Sequence, residues 1–161
     1  MRAKQSRDSE KGTEDSFMSE SVYFIVDGEI QGKARPRFSR MGGYVKTYTP
    51  KKTIDYEQRI KACYLAEVPF QPMIWSNKQP LEIVVNAYFE IPKSASKKAK
   101  ERMLLKEYPT KKPDADNILK AVADALNGVA YSDDCQIVCA IVNKMWSESP
   151  KLEITIREVS R

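Results

Sequence analysis

Between Leu81 and Ile91 an apolar residue occupies every second position: Leu81, Ile83, Val85, Ala87, Phe89 and Ile91. Glu82, Asn86 and Glu90 fall in the other phase. A period of two sends alternate side chains to opposite faces, so "PLEIVVNAYFEIP" predicts a half-buried strand. "VYFIVDG", from Val22, predicts a first strand closed by Gly28. "QIVCAIVNKMW" and "KLEITIREV" predict two more, separated by a turn at Ser147–Pro150. "YVKTY" reads as a short strand, and Gly32–Lys46, which contains Gly42-Gly43, as a loop or ribbon. Spacings of three and four begin after Thr49-Pro50, with Thr as the expected N-cap and Pro as the first helical residue. Tyr56, Ile60, Cys63, Tyr64 and Glu67 then form a mostly apolar stripe on a helix ending near Ala66. A weakly amphipathic helix is expected over Ser94–Lys106, capped by Ser94 or Ser96.

A third helix follows Asp116. Advancing about 100° per residue places Ile118, Leu119, Val122, Ala125 and Leu126 in one arc. Asp116, Asn117, Lys120, Asp124 and Asn127 fall opposite, and Asn127-Gly128 supplies the stop. The sum is an α+β fold: a single mixed β-sheet packed with about three helices. Residues 1–20 are polar and nearly free of large apolar groups, so they are expected to be a mobile tail ahead of one domain over 21–161.

Composition narrows the chemistry. The chain has 161 residues, 42% of them apolar, and no apolar run of membrane-spanning length, so a cytoplasmic protein is the expectation. It contains no histidine. That excludes a Ser-His or Cys-His nucleophile, a histidine base and a histidine-bound zinc. Hydrolytic chemistry is left to carboxylates, lysine or an oxygen-bound hard cation such as Mg²⁺ or Mn²⁺. Cys63, Cys135 and Cys139 lack the spacing of a structural zinc site and are expected to be reduced, the last two within a strand.

Charge is uneven. "GKARPRFSR", Gly32–Arg40, holds four bases and no acid, "TPKK" follows, and Pro92–Lys112 holds eight bases against two acids. Such runs are the footprint of a polyphosphate partner, although each alone is also an ordinary solvated face. Against this background, "KPDADNILKAVADALNGVAYSDD", Lys112–Asp134, gathers five aspartates at the two ends of one helix.

Each aspartate alone has a plain structural account as a cap, a turn former or an i,i+4 partner of Lys120. That account does not cover Asp114 and Asp116 together, because one cap suffices for one helix and a second carboxylate adds repulsion unless a cation relieves it. Asp124 lies roughly 12 Å along the axis from Asp116, too far to share one metal. It is read as Lys120's partner or as a supporting group. The stretch from Asn127 to Asp134 spans at most about 25 Å. Asp133 and Asp134 therefore either return toward Asp114 or reach the site of a partner subunit.

"KKPDADNILKAVADALNGVAYSDDCQI" resembles the signature of the RusA family of Holliday-junction resolvases, and "GKARPRFSRMGGYVKTYTPKKTIDYE" resembles the N-terminal half of its phage branch. The resemblance runs from about Phe24 to Arg157. It implies a homodimer, carried by phage or prophage and working in the bacterial cytoplasm, that nicks four-way junction DNA symmetrically with Mg²⁺ or Mn²⁺. It assigns the essential carboxylates to Asp114, Asp116 and Asp134, with Asp133 as the alternative to Asp134, and the essential lysine to Lys120. The DNA-binding bases are then expected among Lys33, Arg35, Arg37, Arg40, Lys51, Lys52, Lys97, Lys98, Lys100, Lys111 and Lys112. Two readings compete with this one: a metal-dependent nuclease for flaps or RNA, and a non-catalytic architectural protein that binds junctions.

Overall fold

The alternation at Leu81–Ile91 is realised in full. Leu81, Ile83, Val85, Ala87 and Phe89 are buried on one face of strand β4, Leu81–Glu90. The computed structural model describes residues 20–159, so all but the last residue of the expected polar tail lies outside it. In chain order the elements are β1 (Ser21–Asp27), β2 (Arg37–Met41), β3 (Tyr44–Tyr48), α1 (Lys51–Glu67), β4, α2 (Lys97–Lys106), α3 (Ala115–Leu126), β5 (Ile137–Ser147) and β6 (Lys151–Glu158).

The main sheet runs β1-β6-β4-β5, and β2 and β3 form a separate ribbon. β6 is antiparallel to both neighbours, while β4 and β5 are parallel, which makes the sheet mixed. The parallel pair needs a long crossover. Here that crossover contains α2 and α3. Although β5 and β6 are consecutive in the chain, they are not paired, because β4 lies between them.

α1 and α3 cover one face of the sheet. Tyr56, Ile60 and Tyr64 of α1 are buried as the stripe predicts, and Tyr64 meets Phe24 of β1 edge to face at 5.6 Å. Pro50 rather than Thr49 occupies the N-cap, one residue earlier than expected for proline, and no side chain caps that end. Ser96 does cap α2, accepting from the Ala99 amide at 3.3 Å. α3 buries Ile118, Ala121, Val122, Ala125 and Leu126 and ends before Gly128, whose φ of 69° suits glycine. The three cysteines are free thiols; Cys135 lies exposed in the turn before β5 rather than in a strand. No helix among the described residues is long and apolar enough to cross a membrane.

Candidate active site

Asp114 occupies the N-cap of α3, and its backbone carbonyl accepts the first helical bond from Ile118 N–H at 3.1 Å. Its carboxylate accepts no capping hydrogen bond. The ordinary structural account of this aspartate therefore fails: the position is a cap, but the side chain is not used as one. Asp116 lies in the first turn and Lys120 one turn further, both exposed. Among the described residues, no salt bridge involves Asp114, Asp116, Lys120 or Asp134.

Three contacts fix this helix start. Gly32 crosses it so closely that a Cβ there would lie 2.8 Å from Pro113 Cβ and 2.9 Å from Asn117 Cβ, so only glycine fits. The Lys33 amide donates to Asn117 O at 2.9 Å. From below, Lys144 of β5 donates its Nζ to Lys111 O at 2.5 Å and to Pro113 O at 3.1 Å. Its ammonium also lies 5.0 Å from the Phe89 ring centre. Lys144 was not among the sequence candidates, yet it grips the segment that delivers Asp114.

Lys33, counted above among the DNA-binding bases, lines the cleft beside Asp114 but is part-buried with its charge paired. Its Nζ meets Glu57 Oε1 of α1 at 2.5 Å and Asp124 Oδ2 of α3 at 2.8 Å. Burial alone pulls the lysine pKa down, but the bonds to Asp124 and Glu57 outweigh it, and the net shift is upward. This also corrects the pairing expected for Asp124, which is held by Lys33 and not by Lys120.

An open cleft of about 480 Å³ lies beside the start of α3, and its lining includes Asp114, Asn117, Arg37, Lys52 and Lys112. Arg37, at the base of the β2–β3 ribbon, Lys52, in the first turn of α1, and Lys112 thus share one surface with Asp114 although the sequence spreads them over 76 positions. A second cleft of about 390 Å³ shares Glu29, Ile30 and Lys112 with the first and adds Lys93 and Lys111. Lys111 also lies 5.1 Å from the Trp146 ring centre. Arg35, Arg40 and Lys51 are exposed but do not line either cleft, and Lys97, Lys98 and Lys100 project from α2.

The second acidic pair divides into two roles. Asp133 caps the short 3-10 turn Asp134–Gln136: its Oδ1 accepts from the Cys135 amide at 2.9 Å, and Gln136 Oε1 accepts from the Asp133 amide at 3.2 Å. The bond from the Cys135 amide, followed by that from its side chain, holds the Asp133 carboxyl below its ordinary pKa. Gln136 is buried, and its Nε2 donates to Trp75 O and Gln79 O, both at 3.2 Å. Asp134, next in the chain, is exposed and does none of this work.

Asp134 does not return to Asp114 within one chain. The turn leads into β5 at Ile137, whereas Lys144, seven residues on, touches the segment before Asp114. Seven strand steps amount to about 23 Å. Consistently, among the described residues no three His, Cys, Asp or Glu side chains form a group able to hold a metal ion. The donor chemistry at the start of α3 fits a hard divalent cation, because Asp114 and Asp116 offer uncommitted carboxylate oxygens and the chain has no softer competitor there. Among the described residues no third carboxylate joins them.

Residues 27–157 match the family described as Endodeoxyribonuclease RusA. A Bacillus subtilis (strain 168) protein, "Uncharacterized protein YqaN", is 40% identical over 144 residues, covering 86% of this chain and 97% of its own length. "Crossover junction endodeoxyribonuclease rusA" of Lactococcus phage r1t is 29% identical over 137 residues, covering 84% of this chain and 95% of the phage protein. The matched region takes in every element from the end of β1 into β6, including α3 and both acidic pairs. The chain belongs to the RusA family of endodeoxyribonucleases.

Proposed function

We propose that this nuclease resolves four-way DNA junctions by paired nicks, with Mg²⁺ or Mn²⁺ held by Asp114 and Asp116. The observation that carries the reading is a helix start whose two carboxylates are unspent, beside a cleft rimmed by Arg37, Lys52 and Lys112. The bases attract and orient the phosphate backbone, while the carboxylates keep a place for a cation against it. A bound divalent ion supplies charge neutralisation and an activated water for phosphodiester hydrolysis. Lys120, exposed on α3 one turn beyond Asp116, offsets negative charge as it builds up at the scissile phosphate.

The same reading calls for a homodimer. A two-fold assembly matches a substrate with two strands to cut. It also gives Asp134 a task, completing the Asp114–Asp116 site of a second copy. The sheet face away from α1 and α3 leaves Tyr23, Ile25 and Ile141 exposed and available to a second copy.

The test is cleavage of a synthetic four-way junction, with Mg²⁺ or with EDTA, by wild type and Asp116→Asn. Wild type should cut only with the metal, and the variant should bind the junction at wild-type affinity or better without cutting it. Cleavage by Asp116→Asn at the wild-type rate sinks the assignment. Preferential cutting of a flap or RNA competitor moves the protein to the other nuclease reading. Binding without cleavage by the wild type makes it architectural.

A further inference from the structure

The β2–β3 ribbon has no part in the main sheet, and from Arg37 to Tyr48 each residue whose side chain is described is exposed. Phe38 is 74% exposed and Tyr44 84%, values at which a large ring has little covering among the described residues, and Tyr48 is half-covered at 45%. The ribbon is nonetheless precisely built. Met41 pairs with Tyr44 across a two-residue loop, and Gly42 and Gly43 have φ of 59° and 83°, the mirror-image turn that matches strand twist. An isolated two-stranded ribbon is marginal in water, so its exposed rings call for something to lie against.

Its composition states the chemistry of that partner. From Lys33 to Lys52 there are seven bases and no acid. The register places Phe38 and Arg40 on one face, and Arg37, Tyr44, Lys46 and Tyr48 on the other. Each face therefore combines a ring with a cation, the pairing that stacks bases and holds phosphates. Its base is fixed at the cleft, because Arg37 lines the same surface as Asp114. A strand entering the cleft meets the ribbon next.

We infer that the ribbon is the element that senses DNA structure: its rings stack on bases left unstacked at the branch point while its cations grip the phosphates around them. This rests on the junction reading above and deepens it. A continuous duplex has no open base faces, so the rings contribute to junction binding and not to duplex binding.

The test uses the full chain with EDTA and measures binding to a junction carrying 2-aminopurine at the branch point and to a duplex of equal length. Wild type should brighten the branch-point fluorophore and prefer the junction. The double variant Phe38→Ala, Tyr44→Ala should lose the brightening and bind the junction about tenfold more weakly, with duplex affinity within about twofold. The ring-preserving pair Phe38→Tyr, Tyr44→Phe should keep both, and melting temperatures should be unchanged because these side chains are exposed. A double variant that discriminates as well as wild type overturns this inference and leaves the junction reading standing. Equal loss on junction and duplex, with a fall in molecular mass by light scattering, assigns the ribbon to a contact between copies and overturns it too. A wild type without junction preference removes the junction reading, and this inference with it.

Discussion

Lys144→Met isolates the clamp beneath Asp114. The change keeps an unbranched chain over Phe89 but removes the ammonium that bonds Lys111 O and Pro113 O. Hydrogen bonds from a charged donor contribute about 1.5–3 kcal/mol when buried. One of these two is exposed and the other only partly buried, and the freed carbonyls can turn to water. The pair is therefore worth about 2 kcal/mol, or a fall of about 4–8 °C in Tm for a chain of this size. The effect on chemistry should be larger. Releasing the segment that carries Asp114 lets the carboxylate drift by about 1 Å, enough to cost about a hundredfold in rate.

The assay is single-turnover cleavage of a saturating junction below the variant's Tm, alongside junction affinity. The cleavage rate should fall about a hundredfold while affinity stays within about twofold. Lys144→Arg should restore much of the rate, since a guanidinium also donates to two carbonyls. A Lys144→Met enzyme that loses stability but cuts at the wild-type rate would show that the clamp holds the fold and not the carboxylate. Loss of affinity in step with rate would place Lys144 on the DNA instead.

Gln136→Leu strips four hydrogen bonds from a buried position and should cost about 3 kcal/mol, seen as a Tm lower by about 6–12 °C; a shift under 2 °C would contradict the accounting. Asp134→Asn should abolish cleavage with an unchanged melt, whereas Asp133→Ser, which can still cap, should cut normally; the reverse pattern would exchange their roles. Because the Asp133 carboxyl is held below its ordinary pKa, its contribution to stability is complete above that value, 3.8, and is lost as pH falls through the lower folded value, visible in acid melts of wild type against Asp133→Ser. Lys33→Met should loosen α1 and α3 and lower Tm while leaving the salt dependence of junction binding unchanged, since that ammonium is already paired; a salt slope shallower by about one would return Lys33 to the DNA surface.

Elements with strong local periodicity were legible from the chain. β4 declared itself through six alternating apolar residues, and α3 through its arc and its Asn127-Gly128 stop. Sheet order was not, because nothing local to "KLEITIREV" states that it will slot between β1 and β4. Asp114 and Asp116 stood out by proximity, but the unspent state of the Asp114 carboxylate needed coordinates. Sequence offers Lys120 as one reading of Asp124's partner because pairs four apart are visible locally, while its actual partner, Lys33, lies 91 positions away. Lys144 reads as one polar residue in an alternating strand, and only the fold brings it under Pro113. Asp133 followed three residues later by Gln136 is the spacing of a capping box, a local signal that separates the two adjacent aspartates.

The position of β6 bears on when the acidic motif is put in place. The last of the six strands among the described residues to be synthesised is an interior one, and β1 waits for it through more than a hundred residues. Until then β1 has no neighbour and the helix layer lacks part of its floor, so a nascent or prematurely terminated chain carries the acidic motif without the scaffold that aims it. A chain wired this way aims its acidic motif only once β6 has joined the sheet.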